Sequence, residues 1–409
     1  MLKTLKNTAF LFENNMFTFI VTLLFYMNCG FFIAFSQAGS VLSAICPQYL
    51  FFYLAAIYTL FLLIKDRAVK INISMSIGII AVAYIFITQF IICQGRSIAI
   101  LGSIVSISFY LLGGILLPKL EYNQVKFIAN CSIIYSLILF SIDTLYKLIH
   151  CGFNIIYMFF YYRIKSSLLY PDTNATGVQI TFLTVLTYYL YKQEKTFWYI
   201  PVLIAYIFLA FCTFSRAAMI ALILMFGFDI FISSIKVIFE KVKQKISYYV
   251  VPVKKIISYI VLGGAIFGTV FITLFITVYL LADPSFATKL ALFNDVFNFL
   301  SRANGQDLLF GIGFNNGRIG EFSNIEYAHA YLTTYICESG IFGFTIITSF
   351  LISIFFRCKT TIYVFIPFLI FAFAYLGHTH LHVCYSVLAL IEYLEMYKPQ
   401  QKLKQLKGE

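Results

Sequence analysis

Residues 16–36 read MFTFIVTLLFYMNCGFFIAFS, an unbroken run without a single charged side chain. Hydrocarbon offers no water to backbone N–H and C=O groups, so a segment of this kind satisfies them internally as a helix, and ~20 such residues cross a bilayer. The run is too long for the apolar stretch of a cleavable leader, and only Lys3 and Lys6 precede it as basic residues, so it reads as a first span. Further runs of the same kind follow at 47–64, 72–93, 98–117, 127–147, 177–191, 197–214, 217–234, 256–281, 329–356, 361–377 and 381–396, about twelve in all. The composition agrees: 61% of the 409 residues are hydrophobic, 11% are charged, and the mean hydropathy is +0.90. A soluble domain carries roughly 25% charged residues. Short alternating segments would signal a membrane β-barrel, but these runs are continuous. The expectation is an all-α polytopic membrane protein, with residues 1–409 as a single integral membrane domain in a phospholipid bilayer. No Pro/Gly/Ser linker divides it, and no internal repeat stands out.

Lysine and arginine in short loops set orientation. With the N-terminus inside, 21 of the 29 basic residues fall in cytoplasmic segments, and both termini are then cytoplasmic. The net charge of +12 follows from this topology and from contact with anionic lipid, and calls for no nucleic acid. The two basic residue types divide differently. Nineteen of 22 lysines are cytoplasmic, whereas five of seven arginines, Arg96, Arg163, Arg216, Arg302 and Arg318, are external. Arginine stays charged and its planar fork grips phosphate through two bonds, so this split points to an anionic group handled outside. Ordinary loop charge is the competing explanation.

Two external segments are long. The first, 148–176, carries aromatics (Tyr157, Phe159, Phe160, Tyr161, Tyr162) before Arg163. The second, 282–328, holds Leu292, Phe293, Val296, Phe297 and Leu300 at helical spacing, which predicts a helix lying along the interface. Ser301-Arg302 and a glycine-containing run, Gly311 to Arg318, follow it.

The densest chemistry lies at Ala328-His329-Ala330 and Glu338-Ser339-Gly340-Ile341-Phe342-Gly343. His329 stands at the mouth of a span. Glu338 lies about 13 Å deeper if the chain is helical, and an ionisable group at such depth is a functional candidate. Gly340 and Gly343 permit close helix approach. His378, His380 and His382 cluster at the last external turn; His378 and His382 share a helix face, a metal-ligand spacing, but glycan contact or a plain interfacial turn explains them better. Asp143 and Asp229 read as helix–helix partners, and Glu392 and Glu395 as solvated groups near an inner helix end. The nine cysteines are scattered with no CxxC pair and read as small apolar residues. No nucleotide-binding motif occurs, and no metal or other cofactor is expected.

Taken together, Gly311-Ile312-Gly313-Phe314, then His329, then Glu338-Ser339-Gly340-Ile341-Phe342-Gly343 resemble the O-antigen polymerase and ligase superfamily, the Wzy-type polymerases and their ligase relatives. Ser215-Arg216 resembles that family's serine-arginine turn, Asp172-Thr173-Asn174 its acidic/asparagine motif, and Arg302-x10-Gly313 an arginine-x10-glycine pattern of polymerase loops. The chain departs from the family at Ala330, where an asparagine is usual, and in its first long loop, where ten residues after Arg163 comes Asn174 and not glycine. The resemblance covers roughly residues 170–345. It implies a metal-independent glycosyltransferase of the membrane-embedded C type in a bacterial inner membrane, with its active site on the periplasmic side. The donor would be an oligosaccharide on undecaprenyl pyrophosphate, and a chain-length regulator (a polysaccharide co-polymerase) would be a partner. Under this reading Arg216, Arg302 and Arg318, backed by Arg96 and Arg163, stabilise the departing pyrophosphate. Asn174, His378 and His380 contact substrate, His329 is the base, and Glu338 orients it. A ligase that moves finished glycan to lipid A core, and a lipid-linked oligosaccharide flippase, are the alternatives. The sequence favours an enzyme over a transporter because no paired repeat is visible and the 282–328 loop is one-sided.

Overall fold

The computed structural model describes residues 16–30, 47–66, 71–95, 97–150, 152–154, 173–245, 294–315, 317–322, 330–374 and 381–407. Among them every regular element is helical. The helices are α1 (Met16–Met27), α2 (Pro47–Asp66), α3 (Ile73–Tyr84), α4 (Ser97–Leu116), α5 (Tyr122–His150), α6 (Thr173–Glu194), α7 (Tyr199–Cys212) and α8 (Arg216–Lys245). They continue with α9 (294–302), α10 (Gly305–Phe310), α11 (Gly340–Arg357), α12 (Ile362–Ala374) and α13 (His382–Lys407). Among the described residues, five segments are long and apolar enough to cross a membrane: Ile73–Ile92, Ala99–Lys119, Tyr122–Ile149, Arg216–Ser233 and Gly340–Arg357. The chain is a helical membrane protein. Residues 256–281, expected as a ninth span, lie outside the described residues.

The two most deeply buried helices are not among those five. In α6 nearly every side chain from Ala175 to Leu190 is buried, and in α13 every one from His382 to Leu394. Both are rich in polar side chains, because a helix enclosed by other helices need not match lipid. Thr181, Thr184 and Thr187 of α6 each donate a hydroxyl hydrogen bond to the carbonyl four residues back, at 2.8 Å. This lets a threonine-rich helix sit in an apolar interior without orphaned donors. Around this pair stand α4 and α5 against α13, α7 and α8 against α6, and α12 against α8; α11 packs on α3. The outer helices turn large apolar side chains outward, including Ile57, Ile64, Ile80, Phe90, Phe208 and Ile223. That surface is compatible with lipid and not with water.

The polar contacts fix the direction of the helices. Lys192, in the last turn of α6, pairs with Asp229 of α8 at 2.5 Å, and Asp229 also accepts from Tyr188 (2.6 Å) and from Tyr363 at the start of α12. Glu395 of α13 accepts from Tyr189 and Gln193 of α6, each at 2.9 Å. Arg357, closing α11, holds Glu392 of α13 at 2.5 Å, and Tyr110 of α4 donates to the same carboxylate at 2.5 Å. All of these lie at one end of the bundle. The starts of α6, α8, α11 and α13 therefore share the opposite end.

Three expectations change here. Glu392 is buried, not solvated, because Arg357 and Tyr110 converge on it. Glu395 is likewise engaged by two α6 side chains. Asp229 joins three elements as expected, and Asp143 lies 2.9 Å from Lys147 in its own helix. Finally, 329–356 is not one continuous helix. A π-helix, Thr333–Glu338, ends at Ser339, and Gly340 restarts the chain at a left-handed φ of +70°.

Candidate functional site

At the end of the bundle where α11 begins, the described part of the long 282–328 segment is fastened to the membrane helices. The last turns of α3 widen into a π-helix, Ile85–Ile92, facing the second π-helix, Thr333–Glu338. Such widenings often mark functional positions. Gln89, fully buried in the first, reaches three backbone groups. Its Oε1 accepts from the Phe314 N–H at 2.7 Å, and its Nε2 donates to the Glu338 carbonyl at 3.1 Å and the Phe310 carbonyl at 3.4 Å. Two backbone bonds continue the seam: Ile312 N–H to the Cys337 carbonyl and Gly313 N–H to the Glu338 carbonyl, both 3.0 Å. Tyr84 donates to the Ser339 carbonyl at 2.7 Å. Residues 310–314 are thereby joined to the 337–340 stretch and to α3.

Two glycines make this approach possible. Gly311 has a φ of +86°, and a Cβ on it would fall 2.2 Å from the Glu338 carbonyl oxygen. A Cβ on Gly340 would fall 2.4 Å from the Leu309 carbonyl oxygen and 2.5 Å from the Gly311 nitrogen. Both positions demand glycine on conformation and on space. Gly343 serves the α3 contact: a Cβ there would lie 2.8 Å from the Tyr84 ring.

The loop also has its own small core. Val296 and Phe299 of α9 pack with Ile312, Ile319 and Cys337, and the Phe299 ring meets Phe322 edge-on at 5.2 Å. Phe297 and Leu300 on the other side of α9 are exposed. Asn304 caps α10 by accepting from the Asp307 N–H at 2.8 Å. Asp307, nearly buried, receives the Arg318 fork at 3.1 and 2.8 Å. Arg318 also donates to Glu321 at 3.1 and 3.2 Å. The Asp307 carboxylate first, and Glu321 second, raise the Arg318 pKa further still and keep the guanidinium charged. In this structure Arg318 braces the loop, and its fork is filled by carboxylates.

A second cluster forms where α6 and α8 begin. Phe214 takes a left-handed φ of +53°, and Ser215 then caps α8, its Oγ accepting from the Ala218 N–H at 3.4 Å. Gly177 of α6 lies against this turn: a Cβ there would sit 2.8 Å from the Ser215 Cβ and 3.1 Å from its Oγ. Half-buried Asn174, three residues earlier in α6, and exposed Arg216 are thus brought to neighbouring helix starts. Helix N-termini carry partial positive charge and favour anions. Between the two clusters runs α12. Tyr331 contacts Phe368 at 5.4 Å, and Phe371 contacts Phe182 of α6 at 5.8 Å.

Of the expected site residues, Asn174, Arg216, Arg318 and Glu338 therefore share one end of the bundle, and Arg302 is exposed at the end of α9 in the loop docked there. Glu338 is buried, and its backbone carbonyl receives both Gln89 and Gly313. His329, Arg96, Arg163, His378 and His380 lie outside the described residues; His382 is buried with its ring 6.2 Å from that of Phe109. Sequence reading missed Gln89 and Asp307. A lone amide in IFITQFIIC was the available sign of the first. The second had an acidic residue three positions after Asn304, the pattern of a helix start. No protein-family profile matches this chain, and no curated protein matches it either.

Proposed function

We propose that this protein is a membrane-embedded glycosyltransferase of the O-antigen polymerase kind, with twelve spans and its active site on the outer face of a bacterial inner membrane. It transfers a growing glycan from undecaprenyl pyrophosphate to the non-reducing end of an incoming lipid-linked repeat unit. One observation carries this reading. The motif pieces, scattered from Asn174 to Gly343 in sequence, gather at a single end of the bundle. A one-sided site of this kind suits an enzyme working from one face of the membrane. The donor is already activated by its pyrophosphate, so the protein's task is to stabilise the leaving group and accept a proton. Arg216 and Arg302 are the leading cations, His329 is the base, and Arg318 holds the loop that presents Arg302.

Alanine at Arg216 or Arg302 should sharply reduce polymer length in cells at normal expression. Lysine there should restore it only in part, because a point charge does not reproduce the fork. The cytoplasmic pair Lys402→Ala with Lys404→Ala should behave almost as wild type. His329→Gln should cost about 10²–10⁴-fold in turnover, as loss of a general base does, with donor binding retained. Undiminished polymer from both arginine variants and from His329→Gln would remove the reading.

A further inference from the structure

Lys147 and Asp143 are charges that the proposed reaction has not yet used. Both lie inside α5, at 3% and 1% exposure, with the ammonium 2.9 Å from the carboxylate. A buried ion pair is a poor source of stability, because desolvating two charges offsets most of their attraction. Ionisable side chains within a membrane segment are retained for what they do. The position of this pair gives it a task. Parallel helices α5 and α7 are pinned by Tyr199 to Asn130 at 3.0 Å and by Tyr206 to the Ile133 carbonyl at 2.6 Å. Because the two helices run parallel from these pins, Lys147, in the last turn of α5, lies at the same end of the bundle as Cys212, the last residue of α7. Three residues later stands Ser215, followed by Arg216 and packed against Gly177 of α6.

From this geometry we infer that Lys147 is a further cation of the pyrophosphate site, held by Asp143 in the resting protein and turned toward phosphate oxygens beside Arg216 when donor binds. A lysine ammonium on a four-carbon stem exchanges partners readily, which an arginine fork does not. Asp143 is a positioning residue in this arrangement. The inference rests on the polyprenyl-pyrophosphate reading above.

The test replaces the pair with apolar residues of similar volume, Lys147→Met with Asp143→Leu, a change that buried ion pairs often tolerate without loss of stability. A second version, Lys147→Gln with Asp143→Asn, keeps hydrogen-bonding capacity if the first is poorly folded. Purified full-length proteins in detergent are titrated with undecaprenyl pyrophosphate, and with undecaprenyl monophosphate for comparison. Melting temperature reports folding. The expected result is normal melting, affinity for the pyrophosphate lower by about tenfold or more, the value of one charge-assisted bond, and little change for the monophosphate. Wild-type affinity in a folded double variant overturns the role of Lys147 and leaves the broader reading standing. No saturable binding of the pyrophosphate to the wild-type protein overturns both.

Discussion

Single side chains decide how the loop at 305–322 is held. Gln89 satisfies a buried N–H of Phe314 and two carbonyls at once. Gln89→Leu keeps the volume and removes the acceptor of the Phe314 N–H, which costs about 1–3 kcal/mol for a buried group left unsatisfied, while the Glu338 carbonyl keeps its bond from Gly313. Hydrogen exchange at 310–314 should then accelerate strongly, and the melting temperature should fall. Protection equal to wild type would show that the amide is not the fastening. The Arg318–Asp307 fork makes a paired prediction. Arg318→Ala strands a nearly buried carboxylate, whereas Arg318→Ala with Asp307→Asn removes the charge as well. The double variant should therefore be more stable than the single one, measured by thermal melting, and identical melting would contradict the brace. This level of detail is the least legible in sequence. Gln89 is visible there as a polar residue in an apolar run, but the groups it bonds lie more than two hundred residues away. Arg318 reads in sequence as a phosphate ligand, and its carboxylate partners Asp307 and Glu321 become visible only in the structure.

At the scale of elements, hydrophobic runs foretold most of the helices, because the bilayer imposes one rule on every span. What they hid are the interruptions. Residues 329–356 read as one helix, yet the chain winds as a π-helix to Glu338 and restarts at Gly340. The cause is a backbone contact with Leu309 and Gly311, which no local pattern records. Hydropathy likewise ranks α6 and α13 low, although they form the centre, since enclosed helices are free to carry threonine and serine. Gly340→Ala and Gly311→Ala should each disrupt this seam, through a clash below 3 Å and a left-handed φ together. Gly317→Ala is the informative control: it shares a positive φ, at +88°, but a Cβ there meets nothing within 4 Å. The first two variants should lose loop protection and polymer formation, and the third should lose far less. Equal effects would trace the requirement to conformation alone.

For the whole molecule, the charge asymmetry of the loops and the antiparallel helix directions describe the same object. The end that gathers Lys126, Lys192 and Arg357 with their carboxylate partners is the end the lysine distribution assigns to the cytoplasm. The end that carries the docked loop also carries Arg216, Arg302 and Arg318. Reporter fusions after residues 68, 122, 193, 245 and 405 should accordingly read cytoplasmic, and fusions near 160 and 305 external. A cytoplasmic reading at 305 would put the loop on the wrong face for a donor delivered outside. The most direct measurement is reconstitution. Purified protein in detergent, given a lipid-linked repeat unit and neither nucleotide nor added metal, with a chelator present, is predicted to yield a ladder of longer lipid-linked glycans and to release undecaprenyl pyrophosphate in step with each addition. Repeat units recovered at their original length, from protein that melts cooperatively and binds the lipid-linked donor, would contradict the account.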